Sequence, residues 1–239
     1  MTPQLARTLR GPLLLTLTTL GACGGDGGTA EGTPDFRIAI ATAPATTLGT
    51  TTEIPVTLRS DGFAGTVTLA VSGAPASWSV ATSDTAVDLA AGDSVTVTLQ
   101  VTIPGTAAAA PTGQTLTVEA TAGELHHSAG TPLTVANEYV VHLLLGAGAT
   151  GVHWGDQAAS GVLVNTNTVV RIENDDTVAH IIHTNTVDLG FPHQNTGGAG
   201  TLPDSSYSGT FSAPGSDKVT CHNHLADTLT VTFQAPPTP

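Results

Sequence analysis

Three side chains with transition-metal chemistry lie within four residues of one another near the end of the chain: Cys221, His222 and His224. A thiolate and an imidazole three residues apart can converge on one metal ion, because both are good ligands for zinc and copper. Apolar and polar residues alternate on both sides of this group within Phe211–Phe233, and a period of two is typical of β-strands. The pattern predicts a strand, a loop that carries ligands, and a final strand.

A further imidazole follows a turn signal in the stretch Val169–His183. The turn is predicted at Asn174–Asp176, and His180 comes early in the strand after it. Because side chains alternate between the two faces of a strand, His180 is expected to face inward with Ile182, and His183 to face outward or into a neighbouring contact. His180 is therefore the candidate ligand of this stretch.

Together the two stretches resemble the cupredoxin, or plastocyanin-like, family. In that family a strand and an Asn-Asp turn precede a His ligand, and a C-x-x-H loop lies further along the chain before the last strand. The matching positions here are His180, Cys221 and His224, and the resemblance covers about residues 137–235. It implies a Greek-key β-sandwich that holds one mononuclear copper ion, with these three side chains as equatorial ligands.

One position departs from the family pattern. The family often has a Met as a weak axial ligand three residues after the loop His, but that position holds Asp227, and the one Met of the sequence is Met1. Asp227 is a candidate axial ligand, and the alternative is that it is solvated and the axial position is open. The residues alone also leave zinc open, with Asp227 as a fourth ligand, whereas the resemblance favours copper.

The other imidazoles near this group are not expected to be ligands. His222 should point away from Cys221 if the strand continues, and His183 should face outward or into a neighbouring contact. His193 lies in a long polar loop, and the alternative is that it caps or replaces a ligand. His142 and His153 are interpreted as ordinary strand or loop residues.

The N-terminal half is interpreted as a second β-sandwich. Phe36–Val135 contains about seven short alternating stretches punctuated by turn residues, which is typical of Ig-like folds. It resembles bacterial Ig-like accessory domains of exported enzymes, which implies a spacer or docking module. Trp78 is expected in its core, and the alternative is a platform for stacking on carbohydrate. The candidate strands are Phe36–Ile40, Glu53–Leu58, Thr66–Val71, Val87–Leu89, Val95–Ile103, Thr115–Ala120 and Leu133–Val135.

The first residues have the pattern of an export signal. Arg7 and Arg10 precede a short apolar segment, Pro12–Leu20, which is too short to span a bilayer as a mature helix. Leu20–Cys23 resembles a bacterial lipobox, which implies lipidation of Cys23; the alternative is an ordinary secretory signal with a chance cysteine. Gly24, rather than Asp, would favour the outer membrane in a Gram-negative cell. A Gly-rich flexible linker follows.

The charge and cysteine content of the sequence exclude some classes of function. The formal net charge is −13, which argues against nucleic-acid binding, because that requires basic surfaces. If Cys23 carries lipid, Cys221 has no intramolecular partner, and metal ligation would protect its thiol. No nucleophile constellation or substrate pocket is evident, so we do not predict an enzyme.

The sequence thus predicts an all-β chain, an Ig-like sandwich followed by a cupredoxin-like sandwich. The predicted divisions are a signal at 1–22, a linker at 23–34, the Ig-like domain at 35–136 and the copper-binding domain at 137–239. The predicted function is single-electron transfer to a redox protein partner by an exported, lipid-anchored protein that faces the periplasm or the cell surface. The alternatives are a module that stores or delivers copper, and an adhesion protein whose cupredoxin fold has lost its metal.

Overall fold

The computed structural model of the protein describes residues 33–144, 154, 161–184, 193–194, 197–222 and 224–236, with the backbone alone at 224–227. The predicted signal, Cys23, most of the linker and His153 lie outside these residues. The described residues form β-strands and no helix, which confirms the all-β class. The strands are β1 Asp35–Ile40, β2 Thr46–Leu48, β3 Thr51–Asp61, β4 Gly65–Ser72, β5 Ser79–Thr82, β6 Ala86–Leu89, β7 Ser94–Thr102, β8 Ala110–Ala122, β9 Leu125–Leu143, β10 Val162–Asn165, β11 Val169–Asn174, β12 Ile182–Thr184, β13 Ser205–Thr210, β14 Gly215–Cys221 and β15 His224–Gln234.

Strict alternation produces the sandwich in the N-terminal half. In β3 every second residue from Thr52 to Ser60 is buried, and the residues between them are exposed or half-buried. Strands β1, β3, β7 and β5 form one sheet, and β9, β8, β4 and β6 are neighbours in a second. Side chains from both sheets share one apolar cluster, and burying each Val or Leu stabilises the fold by roughly 1.5–3 kcal/mol. Trp78 lies in this cluster with 6% of its surface exposed, as expected for a core residue.

The C-terminal half has its own apolar cluster. The sheet β10-β15-β14-β12 supplies Val219, Leu229 and Val231, and strands β9 and β11 supply apolar residues that include Val141 and Ile172. In the same cluster, the rings of Phe211 and Phe233 stack with centroids 4.0 Å apart. Cys221 belongs to this cluster, so the candidate ligand is part of the core and not of a surface loop.

Strand β9 runs through the middle of the chain and across the predicted domain boundary. Ala136–Glu138 lies inside Leu125–Leu143, whose first part pairs with β8 and whose last part pairs in parallel with β11. His126 and His127 also lie in β9, and His127 contacts the Asp35 carboxylate at 2.8 Å. The predicted boundary between residues 136 and 137 therefore falls within one continuous strand.

Contacts also join the two apolar clusters. Tyr139 packs against both of them, and a Cβ atom added at Gly49 would approach its ring to 2.1 Å. The Asn165 side chain donates a hydrogen bond of 2.8 Å to the carbonyl of Thr106. These contacts, with β9, hold the strands that carry the candidate site against the N-terminal half.

Candidate metal centre

The turn before His180 is held by a buried amide. The Asn174 side chain donates to the carbonyl oxygens of Val178 at 2.8 Å and Thr201 at 2.9 Å, and it accepts a hydrogen bond from the backbone of Asp176 at 3.0 Å. A buried side chain that uses this many hydrogen bonds fixes one turn geometry. The predicted turn is therefore present, and it returns the chain toward the core at His180.

The backbone of His180 is held from one side by the segment around Thr201. The two residues exchange both backbone hydrogen bonds, at 3.0 and 2.7 Å, as an isolated antiparallel bridge. The next strand, β12, begins two residues later and pairs with β14 at Ile182 and Cys221. His180 thus lies just before β12 rather than inside it, and both flanking contacts limit where its ring can point.

Gly200 allows this close approach. Its φ is +68°, and a Cβ atom there would lie 2.7 Å from the carbonyl oxygen of His180. Any other residue at position 200 would have to adopt a left-handed backbone conformation, and its Cβ atom would clash with the His180 backbone.

We expect Gly200→Ala to be more destabilising than the same change at Gly123, where φ is +63° and a Cβ atom meets nothing within 4 Å. Both variants bear the left-handed penalty of about 1–2 kcal/mol, and Gly200→Ala adds an overpacking cost of roughly 1–3 kcal/mol. Melting temperatures of the two variants measure the difference. Equal losses would show that the Gly200 contact with His180 is unimportant.

The structure brings His180 and Cys221 together. The His180 Nδ1 atom lies 3.4 Å from the Cys221 Sγ atom, and both residues are 0% exposed. Two ligands with bonds of about 2.0 Å to nitrogen and 2.3 Å to sulfur, at a tetrahedral angle, lie about 3.5 Å apart. The spacing therefore fits two ligands of one metal ion, and it also fits a thiol that donates a hydrogen bond to an imidazole.

A buried carboxylate that the sequence analysis did not assign to the site completes this arrangement. The Asp176 Oδ2 atom lies 3.1 Å from the His180 Nε2 atom, and Asp176 is 4% exposed. A proton on Nε2 would donate to this carboxylate and leave the Nδ1 lone pair directed at Cys221. In the sequence Asp176 was interpreted as part of a turn. Its position four residues before His180 was the one sign that it could contact that imidazole.

The thiol, imidazole and carboxylate also have the order found in cysteine nucleophiles. A nucleophile must reach its substrate, and Cys221 has no exposed surface. The buried position suits a metal ligand better than a catalytic nucleophile.

His224 and Asp227 are described by their backbone only. Thr220 pairs with Thr228, but the next residue of β14, Cys221, pairs with His224, so that three residues of β15 have no counterpart at this step. The irregularity places the backbone of His224 opposite Cys221 and puts Asp227 among the three extra residues. Their roles as equatorial and axial ligands stay predictions.

A second group of ligand types lies on the surface. His142 Nδ1 is 2.8 Å from Asp175 and 3.5 Å from Glu173, and the donor atoms of all three lie within 4.8 Å of one another. Arg171 also pairs with Glu173. Glu173 thus already has a cationic partner in Arg171, and His142 is a strand residue, as expected.

The fold and the site define an all-β protein with a buried thiol–imidazole–carboxylate group between strands. In sequence, a family model described as the NPCBM-associated, NEW3 domain of alpha-galactosidase matches residues 46–123, about a third of the chain. This region lies within the expected Ig-like half. None of the curated proteins matches the chain, and the cupredoxin resemblance of its last part stays a prediction.

Solved structures similar to the chain are all-β proteins of both expected kinds. A purple cupredoxin from Nitrosopumilus maritimus is 18% identical over 40% of this chain and 98% of its own, with a TM-score of 0.31. The periplasmic chaperone SfaE is 12% identical over 83% and 99%, with a TM-score of 0.30. A copper-containing nitrite reductase from Thermus scotoductus is 11% identical over 81% and 60%, with a TM-score of 0.29.

Among the described residues, no helix is both long and apolar enough to cross a bilayer.

Proposed function

We propose that the protein is an exported copper protein that transfers single electrons to and from a redox protein partner. The observation that carries this proposal is the 3.4 Å contact between His180 Nδ1 and Cys221 Sγ inside the apolar core. His180, Cys221 and His224 are the proposed equatorial ligands, and Asp227 is the candidate axial ligand. Bound copper would supply one-electron chemistry between Cu(I) and Cu(II).

The donor set fits copper on its chemistry. A thiolate with two imidazoles is the equatorial set of copper electron-transfer sites, whereas zinc favours four tetrahedral ligands. Cys221 lies in an apolar cluster and has no exposed surface. Low hydration and soft sulfur favour Cu(I) enough to keep both oxidation states accessible.

The strands and turn supply the rigidity that such a site needs. Cys221 is the last residue of β14, which pairs on both sides with β12 and β15. His180 is held through its backbone by Thr201 and through its ring by Asp176. Ligands fixed in this way move little when the charge on the metal changes, which makes electron transfer fast.

The absorption spectrum and voltammogram of the copper-loaded protein test the proposal. An electron carrier gives an intense thiolate-to-copper band and a reversible potential, and it keeps its copper in the presence of a chelator. Rapid release to the chelator without reversible voltammetry would favour the second candidate, copper storage or delivery, which the additional imidazoles His183, His193 and His222 support. A protein purified from its native membrane without metal would contradict both.

The N-terminal pattern supports a lipid anchor on Cys23, with the Ig-like half as a spacer or docking module. We expect mass spectrometry of the mature protein to find a diacylglyceryl-modified Cys23 as its first residue, because the short apolar segment ends in Leu-Gly-Ala-Cys. Cys23→Ser, which blocks acylation, is expected to release the protein from the membrane fraction, and Cys221→Ser serves as the matched control that stays attached. A soluble mature chain that begins at another residue would contradict the anchor.

A further inference from the structure

Three imidazoles that the proposed copper site does not use meet on the other face of the same strands. The ring centroid of His183 lies 4.3 Å from that of His193 and 5.6 Å from that of His222. Ile182 pairs with Cys221 and His183 with Thr220, and neighbouring residues of a strand point to opposite faces. His183 therefore lies on the face away from Cys221.

The pairing between β12 and β14 extends one residue further, and this places His222 on the same face as His183. The His222 backbone donates a hydrogen bond of 2.8 Å to the Ile181 carbonyl. His222 thus follows Thr220 on the same side of β14, diagonally across from His183. The third imidazole, His193, comes from outside these strands, so the cluster joins three separate places in the chain.

Two nitrogen atoms in this cluster are buried without a partner. The Nδ1 atoms of His183 and His222 have almost no accessible surface and no hydrogen bond to any residue that the structure describes. An unpaired buried polar atom costs about 1–3 kcal/mol, and such atoms are uncommon in folded proteins. Two of them within one imidazole cluster indicate that something else satisfies them.

The electrostatics of the cluster favour a bound metal cation over protonation of the three imidazole rings. Burial lowers the pKa of His183 below its usual range, and the imidazoles of His193 and His222 lower it further, while the Asp217 carboxylate opposes them. Neutral imidazole is the form that binds metal ions. The negative charge of Asp217 acts on the same position and would attract a divalent ion.

We propose that His183, His193 and His222 bind a second metal ion, a divalent transition metal of the zinc class that accepts imidazole ligands. Three imidazole nitrogens on one zinc ion at about 2.0–2.1 Å lie about 3.4 Å apart at tetrahedral angles, so the three rings, with His183 between the other two, must turn their nitrogen atoms toward one point to bind it. The site uses none of the residues proposed for copper. It lies one peptide bond from Cys221 through His222.

Zinc binding to the full chain in the Cys221→Ser background tests the site, because that change disables the thiolate site. Competition with a chromophoric chelator gives the dissociation constant. We expect one zinc ion per chain in this background, and His193→Ala is expected to weaken its binding on the order of 10–100-fold. His193 is exposed, so its replacement leaves the core intact. The matched control is His126→Ala, an exposed imidazole on β9, which should leave binding unchanged.

Wild-type protein gives a second measurement in case Cys221→Ser does not fold. There the zinc content should fall by one ion per chain in both His193→Ala and His183→Ala. In the copper-loaded protein the thiolate-to-copper band should be unchanged in His193→Ala, which separates this site from the proposed copper centre. Zinc affinity that is the same in His193→Ala, His183→Ala and His126→Ala, or the absence of zinc binding in the Cys221→Ser protein, would overturn the proposal.

Discussion

Cys221→Ser is expected to abolish the thiolate-to-copper absorption band of the copper-loaded protein. The band requires a sulfur ligand, and Cys221 is the only cysteine among the residues that the structure describes. A serine hydroxyl is a hard and weakly acidic ligand, so the affinity for Cu(I) should fall by on the order of 100-fold or more. Absorption spectra and copper competition titrations of the two proteins measure both effects.

The substitution is conservative for the fold. A serine at position 221 can still donate a hydrogen bond to the His180 imidazole, so the apo variant should remain folded by circular dichroism. Thr220→Ser is the matched control, since it alters the adjacent residue on the opposite face of β14 and should leave the band unchanged. A Cys221→Ser protein that keeps its full colour would exclude Cys221 as a copper ligand.

Alternation carried much of the prediction. It placed strands close to β1, β3, β4, β6, β7, β11 and β14, and it placed His180 and His183 on opposite faces; in the structure His180 is buried and His183 is half-buried. A period of two shows which face of a strand is buried. A side chain must lie on that buried face to reach Cys221. The meeting of His180 and Cys221 further required the cupredoxin resemblance, because no local pattern relates residues so far apart.

The failures came where tertiary contacts decide the structure. Ala136–Glu138, at the predicted domain boundary, contains no apolar alternation, and it forms strand because β2 pairs with Ala136 and the pairing with β11 begins at Glu138. Strands β2 and β5 are too short to show a period, and each is held by one neighbour, β9 or β7. The imidazole cluster was missed for a similar reason, since no strand period relates His193 to His183 and His222.

Asp176 shows the same limit at the site itself. In the sequence Asp175 and Asp176 both look like turn residues, and only the spacing of four residues from Asp176 to His180 sets them apart. In the structure Asp176 is buried against His180, whereas Asp175 is exposed and contacts His142. The position of the His180 ring in the structure shows that Asp176 can position this imidazole, whereas Asp175 is a surface charge.

Asp176→Asn is therefore expected to weaken copper binding by about 10–100-fold, the range typical of residues that support a metal ligand, which corresponds to about 1.4–2.8 kcal/mol. The amide keeps the shape of the side chain and can still accept the hydrogen bond from the Thr177 backbone. It removes the negative charge beside His180 Nε2, which lowers the basicity of the imidazole. It can also donate to Nε2, which would place the ring proton on the atom that faces Cys221.

The loss of negative charge next to the ligand should also raise the reduction potential, because Cu(II) loses more stabilisation than Cu(I). Asp175→Asn is the matched control, since it removes the same charge one residue away at the surface, where water and salt screen it. Copper titrations and voltammetry of the two variants decide the matter. If both variants bind copper with equal affinity at the same potential, Asp176 acts only in the turn and does not position His180.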